Sequence, residues 1–420
     1  MNAATDTHRA IEAVFKIEQA KLIAGLARIV RDVGTAEELA QDALVAALSL
    51  WPERGVPRNP GAWLMATAKN RAIDTFRRNK LIARKHEEIG HELEEAVEPE
   101  IEDKLDDHVG DDLLSLIFTA CHPVLSPEAR VALTLRMLGG LKTDEIARAF
   151  LVPEPTVAQR IVRAKKTLAD AGVPFEVPRG AEMAARLASV LEVIYLIFNE
   201  GYSATAGDDL LRPQLSEEAM RLGRVLAGLA ASEAEVHGLV ALMELQASRF
   251  GARTAADGTP ILLAEQNRGR WDQLLIRRGL GALERAQRSA AEAGKPRGAY
   301  TLQAAIAACH ARAGTADQTD WVAIANLYRE LVEQIPSPVV ELNRAVAVGM
   351  AAGAEAGLAI ADALEADGAL KNYHLLPAVR ADFLQKLGRS AEARAEYERA
   401  AKLTRNERER ALLQERAAKA

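Results

Sequence analysis

An all-α fold is what this sequence predicts, and three observations predict it. Ala, Leu, Glu and Arg dominate the composition, and these are strong helix formers. Apolar residues recur at spacings of three and four nearly everywhere. Aromatic residues supply only 4% of the chain. At 420 residues the chain exceeds what one core usually supports, so two or three domains are expected. With 49% hydrophobic and 27% charged residues, disorder as the overall state is excluded. Two cysteines, Cys121 and Cys309, give no disulfide framework and no paired-cysteine metal motif, which suits a reducing cytoplasm. No metal and no cofactor is expected. The opening MNAATDTHRA lacks a basic flank followed by an apolar core, and the longest strongly apolar run, Val190 to Phe198, is about half a membrane span. Neither secretion nor membrane insertion is expected.

The net charge of -6 conceals a strong local pattern. Lys69 to Lys85 carries seven basic residues against one acid, whereas His86 to Asp112 carries thirteen acids against one lysine. Residues 1–85 therefore form a first helical domain, interrupted where Pro52, Gly55 and Pro57 forbid a continuous helix. Residues 86–111 are expected to be a flexible, self-repelling acidic linker. A second compact domain covers 112–172 and ends at the Gly172 to Pro178 joint. From 181 to 420 helix follows helix, with turns at Gly201, Pro213, Gly251 to Pro260, Gly294 to Gly298 and Pro336 to Pro338.

In the first domain, Glu38 and Asp42 lie one turn apart and give an acidic helix edge, suited to a partner or simply to solvent. Further on, Asn70, Arg71, Asp74, Arg77 and Arg78 occupy the basic side of a helix whose apolar positions are Ala72, Ile73 and Phe76. Asn and Arg there can read unpaired bases or grip phosphates, while Asp74 can hold a neighbouring Arg. Trp63 reads as core.

The second domain has the pattern of a helix-turn-helix. Ser126, Pro127 and Glu128 start a helix that Gly139 and Gly140 stop. Thr143, Asp144 and Glu145 cap a short helix burying Ile146, Ala147 and Phe150, and Pro153 and Pro155 delimit the turn after it. In the next helix Val157, Ile161, Ala164 and Leu168 form one apolar stripe, leaving Gln159, Arg160, Arg163 and Lys166 outside. Such a helix suits the major groove: Arg and Gln can contact base edges, and Lys165 and Lys166 can neutralise phosphates.

The last hundred residues repeat weakly. Segments superpose on Tyr328, Ile360 and Tyr397, at intervals of 32 and 37 residues, which bracket the tetratricopeptide period of about 34. Small residues would let paired helices approach and Tyr and Leu would fill between pairs, giving a solenoid. Asn199, Glu200, Gly201 and Tyr202 read as a helix end capped by Gly201. Glu265, Arg268, Trp271 and Asp272 suit a buried polar network or an interdomain contact. The eight histidines are scattered with no metal-binding or triad-like pairing, so no enzyme is expected.

On these motifs the chain resembles the extracytoplasmic-function sigma factors of bacterial RNA polymerase. AEELAQDAL is similar to the polymerase-binding helix of sigma region 2, AWLMATAKNRAIDTFRR to its -10 recognition helix, and LKTDEIARAFLVPEPTVAQRIVRAKKTL to the region 4 helix-turn-helix that reads the -35 element. The resemblance covers residues 10–171, with the two motifs in the family's order. The long tail resembles the subgroup with a tetratricopeptide-like extension, in which YLIFNEGYSA and LAEQNRGRWDQ also fit. Asp42 stands where Glu is commoner and Leu44 where an aromatic is usual.

The resemblance implies two partners, core RNA polymerase and promoter DNA. Glu38, Gln41 and Asp42 would dock on the polymerase; Asn70, Arg71, Asp74, Arg77 and Arg78 would face the -10 DNA; the loop from Pro52 to Pro60 would cover a flipped base. Glu154, Thr156, Gln159, Arg160 and Arg163, flanked by Lys165 and Lys166, would face the -35 duplex. The C-terminal helical domain would regulate or support activity, either by contacting the sigma domains within the chain or by recruiting and stabilising. Two other readings stay open: a stand-alone helix-turn-helix regulator with a tetratricopeptide-like sensor, and a pure scaffold.

Overall fold

The computed structural model describes residues 3–87, 109–150, 152–202, 212–255, 261–404 and 407–420. Among them every regular element is a helix. The chain divides into two compact units, Met1–Ile194 and Tyr195–Ala420. The first therefore joins both of the small domains expected from sequence. The division falls inside a helix, not at the Gly172 to Pro178 joint. Most of the expected acidic linker, residues 88–108, lies outside the described residues.

Unit 1 begins with α1 (Ala3–Val30), α2 (Val33–Arg54) and α3 (Pro60–Glu87). Asp32 caps α2 by accepting from the Thr35 amide at 2.6 Å, and Asn59 does the same for α3 through Ala62 at 3.1 Å. The helix break expected at Pro52 begins later, because α2 runs through it to Arg54. A proline in the last turn forfeits one helical hydrogen bond, and Gly55, with φ at +80°, closes the helix by donating to Trp51 O at 2.9 Å. Trp51 is buried and meets Trp63 edge-on, with ring centres 5.2 Å apart. α4 (Val109–Ala120) packs on α1 and leads into α5 (Pro127–Met137), α6 (Thr143–Phe150) and α7 (Glu154–Asp170).

α8 (Ala181–Tyr202) reaches into unit 2. Gly201 is not its cap. It lies inside the helix, where a Cβ would stand 2.5 Å from the Ser216 amide nitrogen and 2.8 Å from Arg212 O. The missing side chain thus admits the start of α9 (Pro213–Leu229), and the Arg212 amide donates to Gly201 O at 2.8 Å. α10 (Ala234–Ala247), α11 (Gln273–Glu292), α12 (Ala299–Arg312) and α13 (Trp321–Gln334) follow. They share one core around Leu242, Leu245, Leu283, Leu302, Ile324 and Leu331.

The rest of unit 2 is α14 (Pro338–Ala352), α15 (Ala354–Asp367), α16 (Leu375–Lys386), α17 (Ser390–Leu403) and α18 (Glu407–Lys419). Each packs on the next along the chain, the nearest-neighbour pattern of a helical repeat. Tyr328, Ile360 and Tyr397 fall near the middle of α13, α15 and α17, so the weak sequence period corresponds to every second helix. Close approach depends on glycine. A Cβ on Gly357 would lie 2.8 Å from Ala345 O, 2.8 Å from the Gly349 Cα and 2.5 Å from the Phe383 ring.

His310, at the end of α12, is 8% exposed and stacks edge-on with Trp321. Burial first, then the nearby Arg249 and Arg268, push its imidazole down to about 4.

Two outcomes are expected. Gly357→Ala should destabilise unit 2 by about 1–3 kcal/mol because backbone atoms block the new methyl, whereas Gly228→Ala, which meets nothing within 4 Å, should be neutral or stabilising by up to about 1 kcal/mol; urea midpoints decide. The unfolded chain protonates His310 near 6.5 and the folded one only near 4. The unfolded state therefore holds more protons in that window, so stability complete above pH 6.5 should fall as pH drops through it. His310→Gln should flatten that part of the pH profile of thermal melting.

Candidate nucleic-acid interface

The helix-turn-helix is built by local sequence. Ser126 accepts from the Ala129 amide and Pro127 opens α5; its own backbone hydrogen bond and Ser126 hold the Glu128 carboxyl below its usual range. At α6 the Glu145 carboxylate accepts from the Lys142 amide at 2.7 Å. Ile146 and Ala147 are buried, while Phe150 is only half-buried. The turn is tied by the Val152 amide donating to Ala147 O at 3.1 Å. On α7 Val157, Ile161, Ala164 and Leu168 are all buried, so the opposite face is fixed by elimination.

That face carries Glu154, Gln159, Arg163 and Lys166 exposed, with Thr156 and Arg160 half-buried beside them. Arg160 and Arg163 have no ion-pair partner among the described residues. Lys166 lies 3.2 Å from Asp170, an exposed pair worth little. Lys165 points the other way, into an ion pair with Glu37 on α2. The two adjacent lysines, expected together on the phosphate side, are thus split between solvent and the interior of unit 1.

Glu37 is the residue that sequence reading missed. It is 3% exposed and accepts from Arg136 Nε of α5 at 2.6 Å, so one carboxylate answers two cations. The signal was present: Glu37 lies on the stripe of Val33, Ala40, Ala47 and Trp51, where a carboxylate can be buried only if cations come to it. Arg136 sits between the buried Leu135 and Met137 on the opposing helix. Beside it Gln19 donates to Arg136 O at 3.1 Å, and elsewhere in unit 1 Arg28 on α1 pairs with Asp112 on α4 at 3.2 Å.

The first motif presents the other face of α2. Glu38 and Asp42 are exposed and Gln41 is half-buried. On α3 Leu64, Ala68 and Ala72 are buried, while Asn70 and Asp74 are exposed and Arg71 half-buried. Arg71 lies 3.3 Å from Asp42, which brings the acidic edge and the basic helix together. Arg77 and Arg78 continue α3, but their side chains fall outside the described residues.

Three family models match the chain. Residues 15–82 match Sigma-70 region 2, residues 115–168 match Sigma-70 region 4, and residues 186–287 match a family of unknown function, DUF6596. An uncharacterized protein of Rhizobium meliloti (strain 1021) is 43% identical over 390 residues, covering 92% of this chain and 90% of the relative. The chain belongs to the sigma-70 family. Within this family its layout is that of an extracytoplasmic-function-like sigma factor with a C-terminal helical extension, and its role lies in promoter recognition. No solved structure matches the chain. No helix among the described residues is long and apolar enough to cross a membrane.

Removing the Glu37 charge leaves Arg136 and Lys165 facing each other, each 22% exposed. Glu37→Gln should therefore destabilise unit 1 by about 1–3 kcal/mol, and Lys165→Met by less, since Arg136 still answers the carboxylate. Hydrogen exchange at α2 and α7 amides should quicken in Glu37→Gln; unchanged exchange would show the ion pair to be dispensable.

Proposed function

We propose that this chain binds core RNA polymerase through Glu38, Gln41 and Asp42 and directs initiation at specific promoters. In this reading Asn70, Arg71, Asp74, Arg77 and Arg78 engage the -10 element. Glu154, Thr156, Gln159, Arg160, Arg163 and Lys166 engage the -35 element, and Lys165 joins them once released. The observation that carries the reading is the outward face of α7, where Arg160 and Arg163 have no ion-pair partner among the described residues, on a chain that also holds region 2 upstream. Guanidinium groups outside a formed ion pair are ready to meet base edges and phosphates.

Distance adds a requirement. Positions -10 and -35 are about 85 Å apart along duplex DNA at 3.4 Å per base pair. A compact body the size of unit 1 has a radius of gyration of about 16 Å. Both modules cannot reach their elements while α7 stays docked on α2, so the Glu37 contact to Lys165 must break for initiation. Polymerase binding at the neighbouring Glu38 and Asp42 is the natural agent, since it acts on the same helix. The C-terminal helical domain regulates or supports this activity.

The test is run-off transcription with core polymerase on the gene's own upstream DNA. Full-length protein should yield a specific transcript. Arg160→Glu with Arg163→Glu should lower it by roughly a hundredfold or more, from about 1–3 kcal/mol per lost contact, while leaving co-migration with core polymerase intact. Specific DNA binding without polymerase would instead favour a stand-alone regulator.

A further inference from the structure

Unit 2 holds a group of arginines that the proposed promoter contacts do not include. It is gathered where α10 ends, at a short 3-10 turn (Phe250–Ala252), and at a second one (Arg268–Arg270). The Arg253 guanidinium carbon lies 3.7 Å from the centre of the Tyr202 ring. Arg249 lies 5.9 Å from that same ring and 5.8 Å from the Trp271 ring, and Arg268 lies 5.1 Å from Trp271. Three guanidiniums are thus ranged along two aromatic rings.

None of the three forms an ion pair with a carboxylate among the described residues. Arg253 donates to Tyr202 O, and Arg268 donates to His310 O at 2.6 Å, to Ala313 O at 2.8 Å and to Thr319 Oγ1 at 2.8 Å. Those bonds hold two of the guanidiniums in place without neutralising them. Among the described residues the Arg249 guanidinium meets only the two rings, and its Nε is buried without a hydrogen-bond partner. The same neighbourhood leaves other buried polar atoms unanswered. They are Trp271 Nε1, on a side chain 3% exposed, with His310 Nδ1 and Arg268 Nε.

Like charges so placed oppose one another. Burial and Arg249 push both Arg253 and Arg268 down, against the opposing influence of Tyr202 and Glu409 on Arg253 and of Asp317 on Arg268, and burial, Arg249 and Arg268 push His310 down. Cation–π contact offsets part of this but adds no negative charge. Buried polar atoms without partners are costly, and a cluster of them in one place is answered by water, an ion or a bound group. Arginine forks match carboxylate and phosphate oxygens two at a time, and flat rings beside them favour a planar ligand.

We propose that Arg249, Arg253 and Arg268, with Tyr202 and Trp271, form a binding site for a small organic anion bearing a carboxylate or a phosphate monoester. Arg249 is the group that meets the anion directly, and Arg253 and Arg268 fix the positive field around it. The site gives the extension a ligand of its own, independent of polymerase and DNA.

The test uses full-length protein, calorimetry and thermal melting, with inorganic phosphate, phenyl phosphate and benzoate as probes. Saturable binding of at least one probe is expected, with a raised melting temperature. The ratio of phenyl phosphate to benzoate affinity assigns phosphate or carboxylate as the preferred head group. Arg249→Gln should weaken binding at least tenfold while leaving the melting temperature without ligand unchanged or higher, because a repelling charge is gone. No saturable binding, equal binding by Arg249→Gln, or a variant that melts lower or fails to fold without ligand would each overturn the proposal. None of these readouts involves transcription, so they fail or succeed separately from the promoter reading.

Discussion

Glu37 places a carboxylate on the buried stripe of α2, and much of unit 1 is arranged around the need to answer it. A lone charge at that depth would be intolerable, so Arg136 reaches it from α5 and Lys165 from α7. Each of those helices belongs to the module that carries the second motif, whereas α2 belongs to the first. One acidic side chain thereby couples the helix edge proposed to meet polymerase with the helix proposed to read DNA. In the proposed function this paired setting gives way to a separated one, which alone suits two sites a long way apart on a duplex.

Much of this was legible in the sequence, for identifiable reasons. The α7 stripe of Val157, Ile161, Ala164 and Leu168 is strictly amphipathic, and each of its residues is buried. Ser126 with Pro127, and Gly139 with Gly140, bound α5 through backbone chemistry that needs no tertiary context. What escaped depends on neighbours distant in the chain. Lys165 and Lys166 look alike in sequence, and only the approach of α2 separates them. Gly201 has the look of a cap, yet its function is set by Ser216 and Arg212 pressing against the helix. Pro52 signals a break that the last turn of α2 absorbs.

In unit 2 the period anchored on Tyr328, Ile360 and Tyr397 was visible because alternate helices repeat the same packing problem. The glycine contact between α14 and α15 was foreshadowed only as a general need for small residues. The arginine cluster was visible only in part, through Arg268 and Trp271. Arg249 and Arg253 come from a separate stretch, and no spacing rule links them to those two.

The depth of the Glu37 contact has a consequence for how the protein responds to its ionic surroundings. Dissolved salt screens exposed charges strongly and buried ones hardly at all. It also weakens protein–DNA association steeply, since each counterion released from the neutralised phosphates gains less entropy on entering a saltier solution. Rising ionic strength would therefore erode the proposed hold of Arg160 and Arg163 on a duplex while sparing more of the largely buried pairing that keeps α7 against α2. On the proposed function, higher ionic strength alone would favour the arrangement in which α7 lies against α2.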